Sequence, residues 1–344
     1  MLKVKDIQFA INYYYTSWTR PDQVSFLPSI IHIETTTKCN LACTICPRTF
    51  IMKNDVNHDR TGLNKDLSLD QYLKILDQFD SLHVIRLHGF GEPLMNPNLI
   101  DFVLAANSLD IKTEFTTNAT LLSLDLAKSL IQSGLSEMTV SLDGATKNAY
   151  ERIRTNARFE TVIENLFQFT RVKSSLKKNQ PFLRINMVVT TENITEICDL
   201  LKLAKEIGVK EFRASSIVPP HSHLLSLVPN EVLWNEETEN AKTLARQLKI
   251  NFICIYFNTK ADDRKMKTDN KRRLKCSLPW IAPYIRLDGF VTPCCNTSDP
   301  NLLGNANIYS QDFSAIWNNE KFKGFRNSLK HGPIPEVCQK CPMR

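Results

Sequence analysis

Along the first two-thirds of the chain, short runs rich in Val, Ile, Phe and Thr alternate with longer stretches whose apolar residues return every three or four positions. The first kind predicts strands at Ile30 to Thr35, His83 to His88, Lys112 to Thr117, Glu137 to Leu142, Phe182 to Val189 and Glu211 to Ile217. The second predicts amphipathic helices, among them Leu69 to Phe79, Leu124 to Ser133 and Ile194 to Ile207. Gly134 and Gly208 stand where left-handed C-caps belong, each just ahead of the next strand. A polar stretch before the first strand predicts one further helix. Repetition of strand then helix demands a parallel sheet, since a parallel neighbour is reached only by a crossover. Six such units over about 190 residues are too few for a complete eight-stranded barrel, and an open doubly wound sheet is the alternative.

Past about residue 220 the rhythm changes. Pro219, Pro220, Pro229, Pro279, Pro283 and Pro293 punctuate the chain, and Tyr284 to Thr292 reads as a hairpin turning on Asp288-Gly289. Asp312 to Leu329 has helical spacing of Phe313, Ile316, Trp317, Phe322 and Phe325. The expected organisation is an N-terminal segment over 1–27, a β/α region over 28–234 and a second unit over 235–344.

With 344 residues, 42% of them hydrophobic and 23% charged, the chain has the composition of a globular protein with room for one large core and an appendage. It has no uncharged apolar run of about 18 residues, and its start lacks the apolar core and small-residue cleavage site of a secretory signal. A cytoplasmic location without membrane association is expected. The net charge of +7 is spread out; its densest piece, Lys260 to Lys275, reads as a solvated loop or as an electrostatic guide for an acidic substrate. Nothing in it calls for nucleic acid. The seven histidines offer no convincing ligand pair, His221 and His223 in a loop being the nearest approach to one.

Ten cysteines change the picture. In a reducing compartment they do not make a disulfide framework, and eight fall into two groups: Cys39, Cys43 and Cys46, then Cys276, Cys294, Cys295, Cys338 and Cys341. Clustered thiols of this kind read as metal ligands, whereas Cys198 and Cys254 lie in apolar runs and read as core residues. Structural zinc takes four protein ligands; the first group offers three, with only Asp55 or His58 near enough in sequence to be imagined as a fourth. Three thiolates on a four-iron cluster leave one iron free to bind something other than protein, which is a catalytic feature.

This CxxxCxxC spacing directly after a strand resembles the signature of the radical S-adenosylmethionine (SAM) superfamily. In that family the unique iron chelates the amino and carboxylate groups of SAM and delivers the electron that splits it to a 5'-deoxyadenosyl radical. Later strand ends carry further likenesses. His88 to Leu94, HGFGEPL, resembles the family's GGEP segment, which implies close backbone approach to the cofactor at Gly89 and Gly91 and a charge-assisted bond from the methionine ammonium to Glu92. Thr116-Thr117-Asn118-Ala119 resembles Thr-Asn-Gly, with Asn118 offered to the cofactor and Ala119 departing from the glycine. Ser141-Leu142-Asp143-Gly144 resembles SLDG and implies Ser141 near the ribose or carboxylate. Arg154, with Arg152 as its rival, resembles the cation that meets the methionine carboxylate, and Asn186-Met187-Val188 the segment that lines the adenine. All fall at C-terminal ends of strands, where barrel enzymes build their sites. The resemblance, which covers about residues 28–220, therefore implies a partial (β/α)6 TIM barrel over an open sheet.

The later cysteines resemble the SPASM/twitch extension of a radical SAM subfamily, in the shorter form with one auxiliary four-iron cluster found in butirosin-type aminocyclitol dehydrogenases. The implied ligands are Cys276, Cys294, Cys338 and Cys341, with zinc as the rival occupant because four thiolates suit it equally. Cys295 is left over, as a spare ligand, a small buried residue or a catalytic hydrogen-atom donor. The expectation is an α/β protein, a partial barrel with a C-terminal SPASM/twitch-like cysteine-bearing domain, carrying a 4Fe-4S cluster on three cysteines, SAM and one auxiliary 4Fe-4S cluster. It would be an oxidoreductase removing two electrons from a small sugar- or aminocyclitol-like substrate, supplied with electrons by a donor such as flavodoxin or ferredoxin. The alternatives are modification of a peptide or a thiol-quenched epimerisation and, in another class, a zinc-binding interaction module. Only about 28 residues precede the first strand, too few for a peptide-binding domain there, which favours the small-molecule reading.

Overall fold

The computed structural model describes residues 4–54, 64–218, 222–257, 276–297, 299–339 and 341. Lys260 to Lys275, Asp55, His58 and His221 lie outside the described residues. The expected strands form: β1 (Ile30–Ile33), β2 (Val84–Leu87), β3 (Lys112–Thr117), β4 (Glu137–Ser141), β5 (Phe182–Val189) and β6 (Glu211–Ser216), each parallel to the next. Helix α1 (Val4–Thr19) precedes them. Between and after them run α2 (Pro47–Asn54), α3 (Leu69–Leu76), α4 (Leu99–Ser108), α5 (Leu124–Gln132), α6 (Lys147–Ile153), α7 (Phe159–Ser175), α8 (Ile197–Ile207) and α9 (Glu231–Leu248). Local chemistry sets their ends. Ser68 and Gln71 close a capping box on α3, and Gly134 and Gly208 take φ values of 89° and 91° just past α5 and α8.

Helix α9 runs through the boundary expected at residues 234 and 235, and β7 (Asn251–Ile255) then pairs parallel with β6 as a further strand. Lys249, at φ 57°, ends this helix in the left-handed conformation that Gly134 and Gly208 supply past α5 and α8, so the glycine that marks those two ends in the sequence is missing here. At the opposite edge, a short helix α10 (Leu278–Ile281) leads into the expected hairpin of β8 (Tyr284–Ile285) and β9 (Val291–Thr292), with Gly289 at φ 86° in its turn. Strand β8 lies parallel to β1, and the sheet order is β7-β6-β5-β4-β3-β2-β1-β8-β9, an unclosed barrel wall. Among the described residues no helix is long and apolar enough to cross a membrane.

The wall has two unlike faces. Ile85, Phe115, Met138, Val140, Ile185 and Phe212 are buried on the outer one, where they merge with Phe102, Leu130, Phe169 and Leu200 of the helices into one core. Burying each such side chain contributes about 1.5–3 kcal/mol. The inner face is polar. Arg86 pairs with Glu114, Arg184 bridges Glu137 and Glu211, and Arg213 meets Glu211 at 2.9 Å. Ion pairs of this density are costly in a dry core, and the inner face is partly open to solvent, with the Arg86 side chain 34% and that of Arg213 42% exposed against 11% for Arg184.

Asp312 to Leu329 is not one helix. It breaks into α11 (Phe313–Trp317) and α12 (Glu320–His331), because the Asn319 side chain accepts from the Phe322 N–H at 2.7 Å and starts a new helix. Arg326 of α12 is wholly buried, stacked on Trp317 at 4.1 Å and on Phe322 at 4.2 Å. It donates to the carbonyls of Pro279, Trp317 and Asp22. The Trp280 and Trp317 indoles donate to Pro21 and Phe26, so the stretch between α1 and β1 is strapped across the C-terminal unit. Burial pulls the Arg326 pKa down to about 9; stacking and carbonyls offset that cost. Arg326→Lys is expected to destabilise the protein nearly as much as Arg326→Ala, by about 3 kcal/mol, since an ammonium neither stacks as a plane nor reaches three carbonyls. Thermal unfolding followed by circular dichroism checks this, and wild-type stability of the lysine variant would refute the planar-stacking argument.

Candidate active site

Cys39, Cys43 and Cys46 follow β1 in a loop held by its neighbours' backbones. The Gly91 and Glu92 N–H groups donate to the Thr36 and Lys38 carbonyls at 3.1 and 2.7 Å, and the Ala42 and Thr44 N–H groups to Thr155 and Ile153 at 3.1 and 3.0 Å. The loop is thus tied to the end of β2 on one side and to the end of α6 on the other. A Cβ on Gly91 would collide with the Thr36 and Lys38 carbonyls, and one on Gly89 with Glu34 and the Tyr284 hydroxyl. Close backbone approach therefore dictates both glycines.

Arg154, just past α6, donates from Nε to Asp143 Oδ2 at 2.6 Å and places Nη1 3.9 Å from the Cys43 sulfur. Asp143 is fully buried and accepts from the Val188 N–H at 2.8 Å. Burial by itself would lower the Arg154 pKa, but Asp143 and Cys43 more than reverse it, so the cation persists. Arg152, the rival, is exposed in the last turn of α6. Asp143 is a site residue that the sequence reading passed over, although it sits inside the SLDG segment and its spacing to Arg154 is a usable signal.

The Glu92 carboxylate is buried and already engaged: it accepts from Thr117 Oγ1 at 2.5 Å, the Asn118 N–H at 2.8 Å and the Leu94 N–H at 3.2 Å. Burial raises its pKa while these bonds favour the ionised form. The Asn118 amide is engaged too, donating to Asn40 Oδ1 at 3.1 Å and accepting from Thr120. Both side chains therefore hold the cysteine loop against the end of β3. Ala119 has φ 56°, a left-handed conformation that costs a non-glycine residue about 1–2 kcal/mol, which accounts for the glycine in the motif it resembles. Ser141 ends β4 half-buried, in register with Asn186. Met187 does not join this group. Strand alternation turns it to the core with Ile185 and Val189, and leaves Asn186 and Val188 on the inner face.

Cys276, Cys294, Cys338 and Cys341, from three separate segments, line one cleft with Leu278, Phe325 and Leu329. Burial lifts the thiols, Cys43 to about 11 and Cys294 and Cys338 to about 12, with Cys39 and Cys276 moved the same way. At neutral pH such groups stay almost wholly protonated unless a bound cation or cluster takes the proton's place. Among the described residues no three His, Cys, Asp or Glu side chains stand close enough to enclose a single metal ion. By chemistry both sets fit an iron-sulfur cluster: all sulfur donors, partly dry, with the Arg154 cation beside the first. Cys295 is exposed and outside the cleft lining, within the electrostatic reach of Arg86. Cys198 and Cys254 pack against the core, as expected.

Residues 33–204 match the Radical SAM superfamily, and residues 276–342 match the SPASM iron-sulfur cluster-binding domain. Similar chains include a tungsten-containing aldehyde ferredoxin oxidoreductase cofactor-modifying protein of Pyrococcus furiosus, 24% identical over 334 residues that cover 91% of this chain and 87% of the relative. PqqA peptide cyclase of Bradyrhizobium diazoefficiens is 22% identical over 330 residues, 92% of this chain and 80% of the relative. SuiB of Streptococcus suis, solved bound to S-adenosylmethionine, has the same fold, with a TM-score of 0.67 at 17% identity over 100% of this chain and 75% of that one.

With its pKa near 11, Cys43 in metal-free protein is about 0.1% thiolate at pH 8. Iodoacetamide labelling of Cys43 is expected to speed up about tenfold between pH 8 and pH 9. Mass spectrometry reads the rate, and a rate independent of pH in that window would mean the thiolate is already formed.

Proposed function

The chain belongs to the radical SAM superfamily, and on that premise we propose that it is an oxidoreductase that removes hydrogen from a small polar substrate held on the inner face of the partial barrel. The two matched domains bring a SAM-binding 4Fe-4S cluster and auxiliary iron-sulfur binding. In this reading Cys39, Cys43 and Cys46 hold the first cluster, and Cys276, Cys294, Cys338 and Cys341 hold the second. When bound, such a cluster with SAM supplies a carbon radical able to take hydrogen from an unactivated C–H bond.

The rest falls to the chain's own residues. Arg154, held by Asp143 against Cys43, offsets thiolate charge and meets the SAM carboxylate. Gly89 and Gly91 let backbone come close, Ser141 offers its hydroxyl from the end of β4, and Glu92 and Asn118 act one layer back by fixing the cysteine loop. The observation that carries the proposal is the second all-cysteine cleft, Cys276, Cys294, Cys338 and Cys341, in a C-terminal unit whose hairpin extends the same sheet, β8 lying beside β1 and β9 beside β8. A two-electron oxidation needs an electron acceptor beside the substrate, and the four-cysteine cleft is a site for one. Flavodoxin or ferredoxin would supply electrons. Alignment with PqqA peptide cyclase over 92% of this chain supports a peptide side chain as the alternative substrate, with Cys295 as a candidate hydrogen donor in a redox-neutral variant.

Protein reconstituted without oxygen is expected to hold about eight iron atoms per chain, Cys294→Ala about four with SAM cleavage kept, and Cys43→Ala about four with SAM cleavage lost. Zinc in the C-terminal cleft, or SAM cleavage by Cys43→Ala, would overturn the assignment. Asp143→Ala is expected to bind SAM at least about tenfold more weakly at unchanged iron content, because Arg154 loses its carboxylate anchor. Isothermal titration measures the affinity, and an unchanged value removes Arg154 from the cofactor site.

A further inference from the structure

Two imidazoles on the inner face have no part in the reading above. His32 of β1 and His88, one residue past β2, meet edge to face with ring centres 5.0 Å apart, and His32 is 4% exposed. Register explains the meeting: His32 sits opposite Arg86 on one side and Tyr284 on the other, while Ile31 and Ile33 turn to the core. Arg86 Nη1 stands 3.3 Å from His32 Nε2. A guanidinium only donates, so Nε2 is the acceptor and the proton of the neutral ring sits on Nδ1. That Nδ1 and the Nδ1 of His88 are both buried without a hydrogen-bond partner among the described residues. Burial and the Arg86 cation keep both rings neutral, with the His88 pKa lowered to about 4.

An unsatisfied buried polar group costs roughly 1–3 kcal/mol, and two side by side on a face that is otherwise well paired are a poor packing solution. The walls beside them are firm. Glu34 accepts from the Phe90 N–H at 3.1 Å and the Leu287 N–H at 3.2 Å, and no side chain fits at Gly89 between Glu34 and Tyr284. Charge decides what the pair receives. The charged side chains that act on the two rings are Arg86, on both, and Glu114, on His88, and these two are paired with each other. A carboxylate or phosphate would find the Arg86 cation already paired, whereas a neutral oxygen would satisfy the stranded Nδ1–H at no Coulombic cost.

We propose that His32 and His88 form the substrate-binding pair of this protein and take a neutral oxygen, hydroxyl or carbonyl, of an uncharged polar substrate. The assignment rests on the inner face being the substrate site and names the chemistry bound there. His32 and His88 are positioning residues, and Arg86 sets the tautomer that makes His32 a donor.

The test uses the full chain with its clusters, as wild type, His32→Leu, His88→Leu and His32→Gln. Replacing a stranded buried donor by an apolar side chain is expected to leave the melting temperature unchanged or raise it by about 2 °C. A fall of more than about 4 °C in both leucine variants would make the imidazoles structural and overturn the proposal. Iron content and substrate-free SAM cleavage are read in the same samples; their absence in wild type refutes the proposed function and leaves the histidine result standing on its own. Calorimetric titration then compares D-glucose, N-acetylalanine amide and D-glucuronate as probes. At least one neutral probe is expected to bind wild type about tenfold or more tighter than His32→Leu, with His32→Gln between them; glucose identifies the oxygen as a hydroxyl, the amide as a carbonyl. Equal binding of both neutral probes by wild type and His32→Leu, or a preference for glucuronate over both, would overturn it.

Discussion

Strand β1 is the element on which the rest of the molecule depends. Its His32 and Glu34 N–H groups donate to the Pro283 and Ile285 carbonyls, both at 2.9 Å, so the hairpin of the C-terminal unit is stitched to the first strand of the barrel wall. The other edge of β1 pairs with β2, whose end carries the Gly89 to Glu92 loop. Two cysteine groups that lie more than two hundred residues apart in sequence are thereby attached to one continuous sheet. Glu34 adds a side-chain tie at the same junction, accepting from Phe90 on the barrel side and from Leu287 on the hairpin side. Separating the units would expose an unpaired strand edge and strand this buried carboxylate, which is why the two behave physically as one wall.

The second organising feature is the contrast between the faces of that wall. Barrel interiors are ordinarily filled by branched apolar side chains in layers. Here the row from His32 through Arg86, Glu114, Arg184 and Glu211 to Arg213 is ionic or polar, and most apolar side chains of the same strands face the helices, Phe182 and Val188 being exceptions. A core of this kind on the outside frees the inside from packing duty. What remains within is a surface of donors and acceptors, suited to polar contacts.

Around the first cysteine group, several motif side chains act through other residues. Glu92, Asn118 and Asp143 are engaged with Thr117, Asn40 and Arg154, and each of those contacts bears on where the cysteine loop sits. Burial raises the pKa values of Cys39 and Cys43, so charging these sulfurs needs a compensating group. The Arg154 cation 3.9 Å from the Cys43 sulfur is the compensating group for that charge.

Local pattern was sufficient for much of this. The β/α rhythm, the capping glycines Gly134 and Gly208, the turn at Asp288-Gly289 and the CxxxCxxC spacing are all short-range features, and each determines its own backbone through sterics or ligand count alone. Where the local signal was absent or ambiguous, only tertiary packing decided. Lys249 took a left-handed cap without being glycine, hiding β7; Asn319 capped a new helix inside a continuous apolar rhythm; alternation against the core turned Met187 outward and Asn186 inward. The same holds for Arg154 over Arg152, for Asp143, and for the meeting of His32 with His88, because each depends on a partner brought in by strand register or by a helix end, and register is a property of pairing between segments that no stretch of sequence holds by itself.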